Sequence, residues 1–220
     1  NIAMGIKSLY NDSSGTNNFA AGYYSLYKNI SGNHNIAIGA NALNENTTGS
    51  YNTALGVHSL FNNINGHDNF AAGYYSLNKN TSGNYNTAIG ISSLSENTTG
   101  NNNIALGYQS LYNNLSGANN FAAGYHNLYY NTTGNYNIAI GPNALNNNTI
   151  GDNNFAAGFH SNFSNTTGSD NFSVGVYSLN NNTTGSNNFA SGVYSLYNNT
   201  TGSYNIAVGI NSLNKITDGN

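Results

Sequence analysis

The side chains in this 220-residue sequence that could do chemistry are five histidines, seven acids and eighteen tyrosines. Cysteine is absent, which removes thiolate nucleophiles and thiolate metal ligands. A 17-residue repeat beginning at Asn1 runs through the chain, and positions are numbered within it. His58, His126 and His160 share position 7, but they stand two to four repeats apart, and His34 and His67 are elsewhere. Metal ligands must converge within a few ångströms, so no metal site is expected. Asp12, Glu45, Asp68, Glu96, Asp152, Asp170 and Asp218 are scattered, and no pair recurs at a fixed position to serve as acid and base. Serine is frequent at position 8 without a His–Asp partnership beside it. The expectation is a protein with no catalytic residue, no cofactor and no metal, and therefore not an enzyme.

Two other residue sets point to surfaces. Tyrosine combines an apolar ring and a hydroxyl with few rotatable bonds, which suits contact surfaces. Tyr24, Tyr27, Tyr112, Tyr129, Tyr194 and Tyr197, at positions 7 and 10, are candidates for gripping sugars or a surface. A simpler role is also open, because β-forming residues fill exposed strand positions. At position 12, Asn29, Asn46, Asn80, Asn97, Asn114, Asn131, Asn165, Asn182 and Asn199 each begin an Asn-x-Ser/Thr sequon. In a glycosylating host, nine sequons in thirteen repeats would coat one edge with glycans. The same Asn-Thr-Thr-Gly stretch serves equally as a turn.

Composition narrows the classes further. Charged residues make up 5% of the chain against an ordinary share of about 25%. The formal charge is −3, with four lysines and no arginine, which excludes the basic footprint of a nucleic-acid binder and a polybasic membrane anchor. No apolar run approaches the ~20 residues of a membrane span. The first ten residues show no signal-peptide pattern, and the chain reads as an interior slice of a longer fibre.

What must position these residues is the repeat itself. Twelve full units and a thirteenth of 16 residues follow one another without insertion or deletion. Position 1 is always Asn, and positions 5 and 15 are always Gly, which accounts for all 26 glycines. Position 3 is Ala except at Ser173, and position 9 is Leu except at Asn162. A weaker period of 51 lies over the first, as Asn18–Ser25 returns at Asn69–Ser76, and duplication of a three-unit block explains it. Seventeen residues cannot hold two packed helices, and two glycines per unit break any helix spanning it. Two turns and two short strands, at positions 1–5 and 6–10, are expected. The fold expected is all-β, a single parallel β-solenoid of 13 coils over residues 1–220, roughly 60 Å long at ~4.8 Å per coil.

Positions 2 and 4 share a strand face, and their sizes compensate. Phe19, Phe70, Phe121, Phe155 and Phe189 are followed two residues later by Ala or Ser, whereas Ile or Thr at position 2 is followed by a large residue. Phe172 with Val174 is the single exception in thirteen. Such trading is what close packing demands, so this face is expected to be buried. Ala3 and its equivalents, small and nearly invariant, are expected to meet another sheet, with the Leu of position 9 filling the coil. A strand apolar on both sides predicts an oligomer; a flattened single-chain roll covered by the Asn-Thr-Thr-Gly arm is the other arrangement open. The Asn of positions 1 and 12 should stack as amide ladders.

Asn35–Leu43 (NIAIGANAL) and Asn205–Leu213 (NIAVGINSL) resemble the head repeats of trimeric autotransporter adhesins. Those repeats are usually nearer fourteen residues; here an added L-x-x-N-T-T-G arm makes them similar to repeats of tail fibres and large bacterial surface proteins. The resemblance implies left-handed parallel β-rolls packed as a homotrimer. It also implies an adhesive or structural fibre at the cell surface, outside the cell or on a virion tail, binding carbohydrate or a cell surface. The runner-up is a single-chain solenoid joined end to end into a glycosylated extracellular filament. Neither reading involves nucleic acid or membrane insertion.

Overall fold

The computed structural model describes residues 1–219 and contains no helix among them. Each coil holds one three-residue strand at positions 2–4. In the first of two compact units, Asn1–Ser116, these are β1 (Ile2–Met4), β2 (Phe19–Ala21), β3 (Ile36–Ile38), β4 (Thr53–Leu55), β5 (Phe70–Ala72), β6 (Thr87–Ile89) and β7 (Ile104–Leu106). The second unit, Gly117–Asn220, holds β8 (Phe121–Ala123), β9 (Ile138–Ile140), β10 (Phe155–Ala157), β11 (Phe172–Val174), β12 (Phe189–Ser191) and β13 (Ile206–Val208). Within each unit, successive strands pair in parallel with an offset of one repeat, as Ile36 opposite Thr53 and Phe155 opposite Phe172. The protein is thus a parallel β-solenoid with a 17-residue coil.

The second strand expected at positions 6–10 does not form. Positions 7 and 9 take left-handed backbone, as Tyr24 (φ 53°) and Leu26 (φ 52°) do, and position 17 does the same. Non-glycine residues resist this conformation by roughly 1–2 kcal/mol each. Hydrogen bonds between coils hold it in place: Tyr24 N donates to Ile6 O at 3.0 Å, and Leu26 N to Ala42 O at 2.9 Å. The alternation lets donors at positions 5, 7 and 17 reach the preceding coil and those at 2, 9, 11 and 13 reach the next.

The strand faces are reversed from expectation. Ala at position 3 points inward and is fully buried, as at Ala37 and Ala54, against the fully buried Leu of position 9. Positions 2 and 4 point outward, with Ile36 and Ile38 40% and 43% exposed. The reason is room: a 17-residue coil closes too tightly for Phe–Ala or Ile–Ile pairs to share its interior with leucine.

Two asparagine ladders run through that interior. In position 1, Asn35 Oδ1 accepts from Asn52 N at 3.0 Å and Asn52 Nδ2 at 3.2 Å. In position 12, Asn46 Nδ2 donates to Asn29 Oδ1 at 2.8 Å, and Asn63 Nδ2 to Asn46 Oδ1 at 2.8 Å. Both ladders also meet at the glycine of position 15, for Asn35 Nδ2 and Asn46 Nδ2 each donate to Gly49 O at 2.9 Å. This glycine is required for space and not for positive φ. A Cβ on Gly49 would collide with Gly66 O and Asn46 Oδ1 and stand 2.6 Å from Asn63 Nδ2. The Gly of position 5 does need its backbone freedom, with φ of 131° at Gly39.

The departures from leucine at position 9 and alanine at position 3 fall in successive coils. Asn162 replaces Leu at position 9, is fully buried, and has no partner for either Nδ2 or Oδ1. Ser173 replaces Ala at position 3 of the next coil, its Oγ 2.7 Å from Ser161 Oγ. Beyond this polar break, Leu179, Ala190, Leu196 and Ala207 form an apolar cluster of their own. Asn relieves some left-handed strain at 162, but its stranded amide outweighs that relief. Asn162→Leu should therefore stabilise the protein by about 1–3 kcal/mol in urea titration.

Candidate binding surface

Positions 7 and 10 lie on one edge of the coil, and their rings touch. Tyr24 and Tyr27 have centroids 4.7 Å apart, and Tyr194 and Tyr197 are 5.3 Å apart. Rings also stack between coils, as Tyr10 on Tyr27 at 5.8 Å and Tyr177 on Tyr194 at 5.2 Å. Tyr112 and Tyr129 occupy position 10 in separate units, and both are half-buried. Four of the six candidates thus form two local pairs, and Tyr129 packs on His126 and Tyr130 at 4.9 and 4.7 Å. Lys7 adds a cation 5.3 Å from the Tyr24 ring centre. A hydrogen bond with Tyr24, and then the charge of that group, raise the Lys7 pKa.

The most exposed tyrosines are others. Tyr51 and Tyr204 at position 17 are 58% and 74% exposed, and Tyr23, Tyr74 and Tyr125 at position 6 are also exposed. Position 6 adjoins the outward strand face, so these rings extend an apolar surface of Phe, Ile and Leu along each unit. The signal was in the sequence, in the size trading of positions 2 and 4; the side to which it applied was not.

The structure places the position-12 sequon asparagines inside the coil. Asn29, Asn46, Asn80, Asn97, Asn114, Asn131, Asn165, Asn182 and Asn199 are all fully buried. Their amides are rungs of the position-12 ladder: Asn97 Nδ2 donates to Asn80 Oδ1 at 2.8 Å and to Gly100 O at 3.1 Å. A glycosyl group on that nitrogen has no room in the closed coil. In the first unit the ladder opens at Asp12, whose Oδ1 accepts from Asn29 Nδ2 at 2.6 Å; in the second it closes at Ile216, which leaves Asn199 Oδ1 without a partner.

The histidines join aromatic contacts. His58 stacks on Tyr75 at 4.9 Å, His160 on Phe163 at 4.5 Å and His126 on Tyr125 at 4.0 Å, while His34 stacks on Tyr51. His67 Nδ1 lies 2.8 Å from Asp68 Oδ2. Among the described residues, no three His, Asp or Glu side chains are grouped to hold a metal ion. The acids are less scattered than their sequence spacing implies: Glu45 pairs with Lys28 at 2.6 Å and Glu96 with Lys79 at 2.7 Å, all at position 11. The Glu96 hydrogen bond, and then its charge, raise the Lys79 pKa. No described helix is long and apolar enough to cross a membrane. Comparison with family models, curated proteins and solved structures finds no match.

Two outcomes follow. Secreted from a glycosylating host, the folded segment should carry its nine position-12 sequons unoccupied, as peptide mapping would show; the half-buried Asn147, Asn181 and Asn198 of position 11 also begin sequons and lie outside this expectation. Burial lowers the pKa of His126 and His160 below the usual 6.5. Below that value the unfolded chain takes up protons that the folded chain resists, so these groups make stability fall as the pH drops through about 6. The thermal midpoint of a His126→Gln, His160→Gln variant should show a shallower acid limb than the parent.

Proposed function

We propose that this chain is a structural and adhesive segment of an extracellular fibre, with copies packed in threes along the outward strand face. The observation that carries this reading is the apolar character of that face combined with its size trading. Side chains facing water have no reason to keep a constant combined volume from coil to coil; side chains filling a layer against a partner do. A homotrimer would cover the Phe, Ile and Leu of positions 2 and 4 and leave the tyrosine edge outward. That edge would then meet carbohydrate or a cell surface through ring faces and hydroxyls. The resemblance to adhesin head and tail-fibre repeats supports the same placement outside the cell.

Light scattering on a sizing column, in about 0.5 M salt to screen surface charge, tests the packing. A homotrimer has a mass of 3 × 23.2 = 69.6 kDa. Ile38→Lys with Ile89→Lys should convert it to folded monomer, because both residues point outward. A parent monomer at 23.2 kDa would overturn the trimer, and very large species would favour end-to-end filaments. Loss of glycan-array binding in a Tyr24→Ala, Tyr27→Ala variant would locate adhesion on the tyrosine edge.

A further inference from the structure

Charge is scarce in this chain, yet both glutamates and three of the four lysines stand at position 11, Lys28 and Lys79 among the glutamates and Lys215 in the last coil. Position 11 of five successive coils reads Lys28, Glu45, Asn62, Lys79 and Glu96. Successive members are about 4.8 Å apart, the coil spacing. Lys28 and Lys79 are half exposed at the side chain, and each is bonded to the glutamate of the next coil. Beside the column lies a groove of about 330 Å³ lined by Glu45, Asn62, Ile64, Lys79, Thr81 and Thr98. Ile64, 47% exposed, sits next to the column's centre.

Read from its other end, the column is Glu96, Lys79, Asn62, Glu45, Lys28. Every lysine then stands where a glutamate stood, with Asn62 unchanged in the middle. A surface with this pattern is its own complement under a two-fold rotation through Asn62. We propose that a second copy of this chain docks antiparallel on this face, with the two-fold axis at Asn62. Lys28 then faces the partner's Glu96, Glu45 faces the partner's Lys79, and the two Ile64 side chains close the groove between them.

Other registers do worse. Parallel in-register docking sets lysine on lysine. Parallel docking slipped by one coil keeps two opposite contacts where the antiparallel one has four, and does not close on itself. In the next 51-residue block the corresponding residues are Asn113, Tyr130 and Asn147, all uncharged, so the alternating stretch runs from Lys28 to Glu96 and is centred on Asn62. Exposed ion pairs are individually weak, so the association is salt-sensitive and relies on Ile64 for its apolar part. The column lies across the interior from the strand face. Lateral pairing is therefore independent of trimer packing and would tie fibres side by side with opposite polarity.

Because the chain has no cysteine, single thiols report the arrangement directly. With a short bis-maleimide at low salt, Asn62→Cys should cross-link to itself at least about tenfold more than the exposed control Thr48→Cys, and about 0.5 M salt should remove the difference. Antiparallel docking sets coil 7 against coil 1, so Asn113→Cys should not link to itself but should link to Asn11→Cys in a mixture. Charge reversal gives a second measurement. Lys28→Glu with Lys79→Glu, and Glu45→Lys with Glu96→Lys, should each fail to pair alone and should pair when mixed, with circular dichroism confirming that both are folded. Equal self-linking at 62 and 113 would overturn the proposal in favour of parallel docking. Self-linking at 62 no greater than at 48, or no recovery on mixing, would overturn it outright.

Discussion

The structure depends on one carbonyl oxygen per coil. The glycine oxygen of position 15 accepts from two buried amides, one from each asparagine ladder, as Gly66 O does from Asn52 at 2.8 Å and Asn63 at 2.9 Å. An interior this narrow cannot reach stability through apolar burial alone, because alanine and one leucine per coil are all it holds. Buried amides are costly when unpaired, but here each rung satisfies the one above it, and the partially satisfied state is confined to places such as Asn162 and Asn199. The invariance of Asn at position 1 and Gly at position 15 follows: the amide must both donate and accept, and the glycine must leave space for it.

That constraint explains the strain elsewhere in the coil. Drawing position 12 and position 1 onto the same carbonyl closes the chain tightly, and the closure is made with left-handed residues at 7, 9 and 17. Leucine is a poor residue for such a backbone, yet twelve of thirteen repeats use it at position 9. Its side chain is the only large apolar group inside the coil, and full burial of a leucine contributes about 1.5–3 kcal/mol, enough to offset the backbone penalty. Local propensity loses to packing at this position, and a strand read from propensity at 6–10 fails for the same reason.

Much of the architecture could be read from the residues alone. The period of 17, the parallel stacking and both asparagine ladders follow from Asn and Gly recurring without a slip. The orientation of the strand did not follow, because alternation identifies two faces without saying which is inside; alanine at position 3 looked like a contact residue when it was the interior one. The burial of the position-12 sequons was hidden for a related reason. Asn-Thr-Thr-Gly carries the same letters whether its first amide faces water or a ladder, and only the closed coil decides. The position-11 ion pairs escaped notice because lysine and glutamate 17 residues apart become neighbours only once the coils stack.

A polar interior also frees the outside. In most solenoids the larger apolar residues fill the coil, and the surface is left to polar ones. Here hydrogen-bonded amides do much of the interior's work, so phenylalanine, isoleucine and tyrosine are available for outward positions at every rung. Those positions repeat at a fixed spacing, which makes any surface that fits one coil fit its neighbours as well. Contacts too weak to matter singly then add along each unit, and specificity comes from where the pattern is broken. In this chain the breaks are few: the charged column centred on Asn62, and the clustering of Tyr10, Tyr24 and Tyr27 beside Lys7. They give an otherwise uniform surface places that differ from one another.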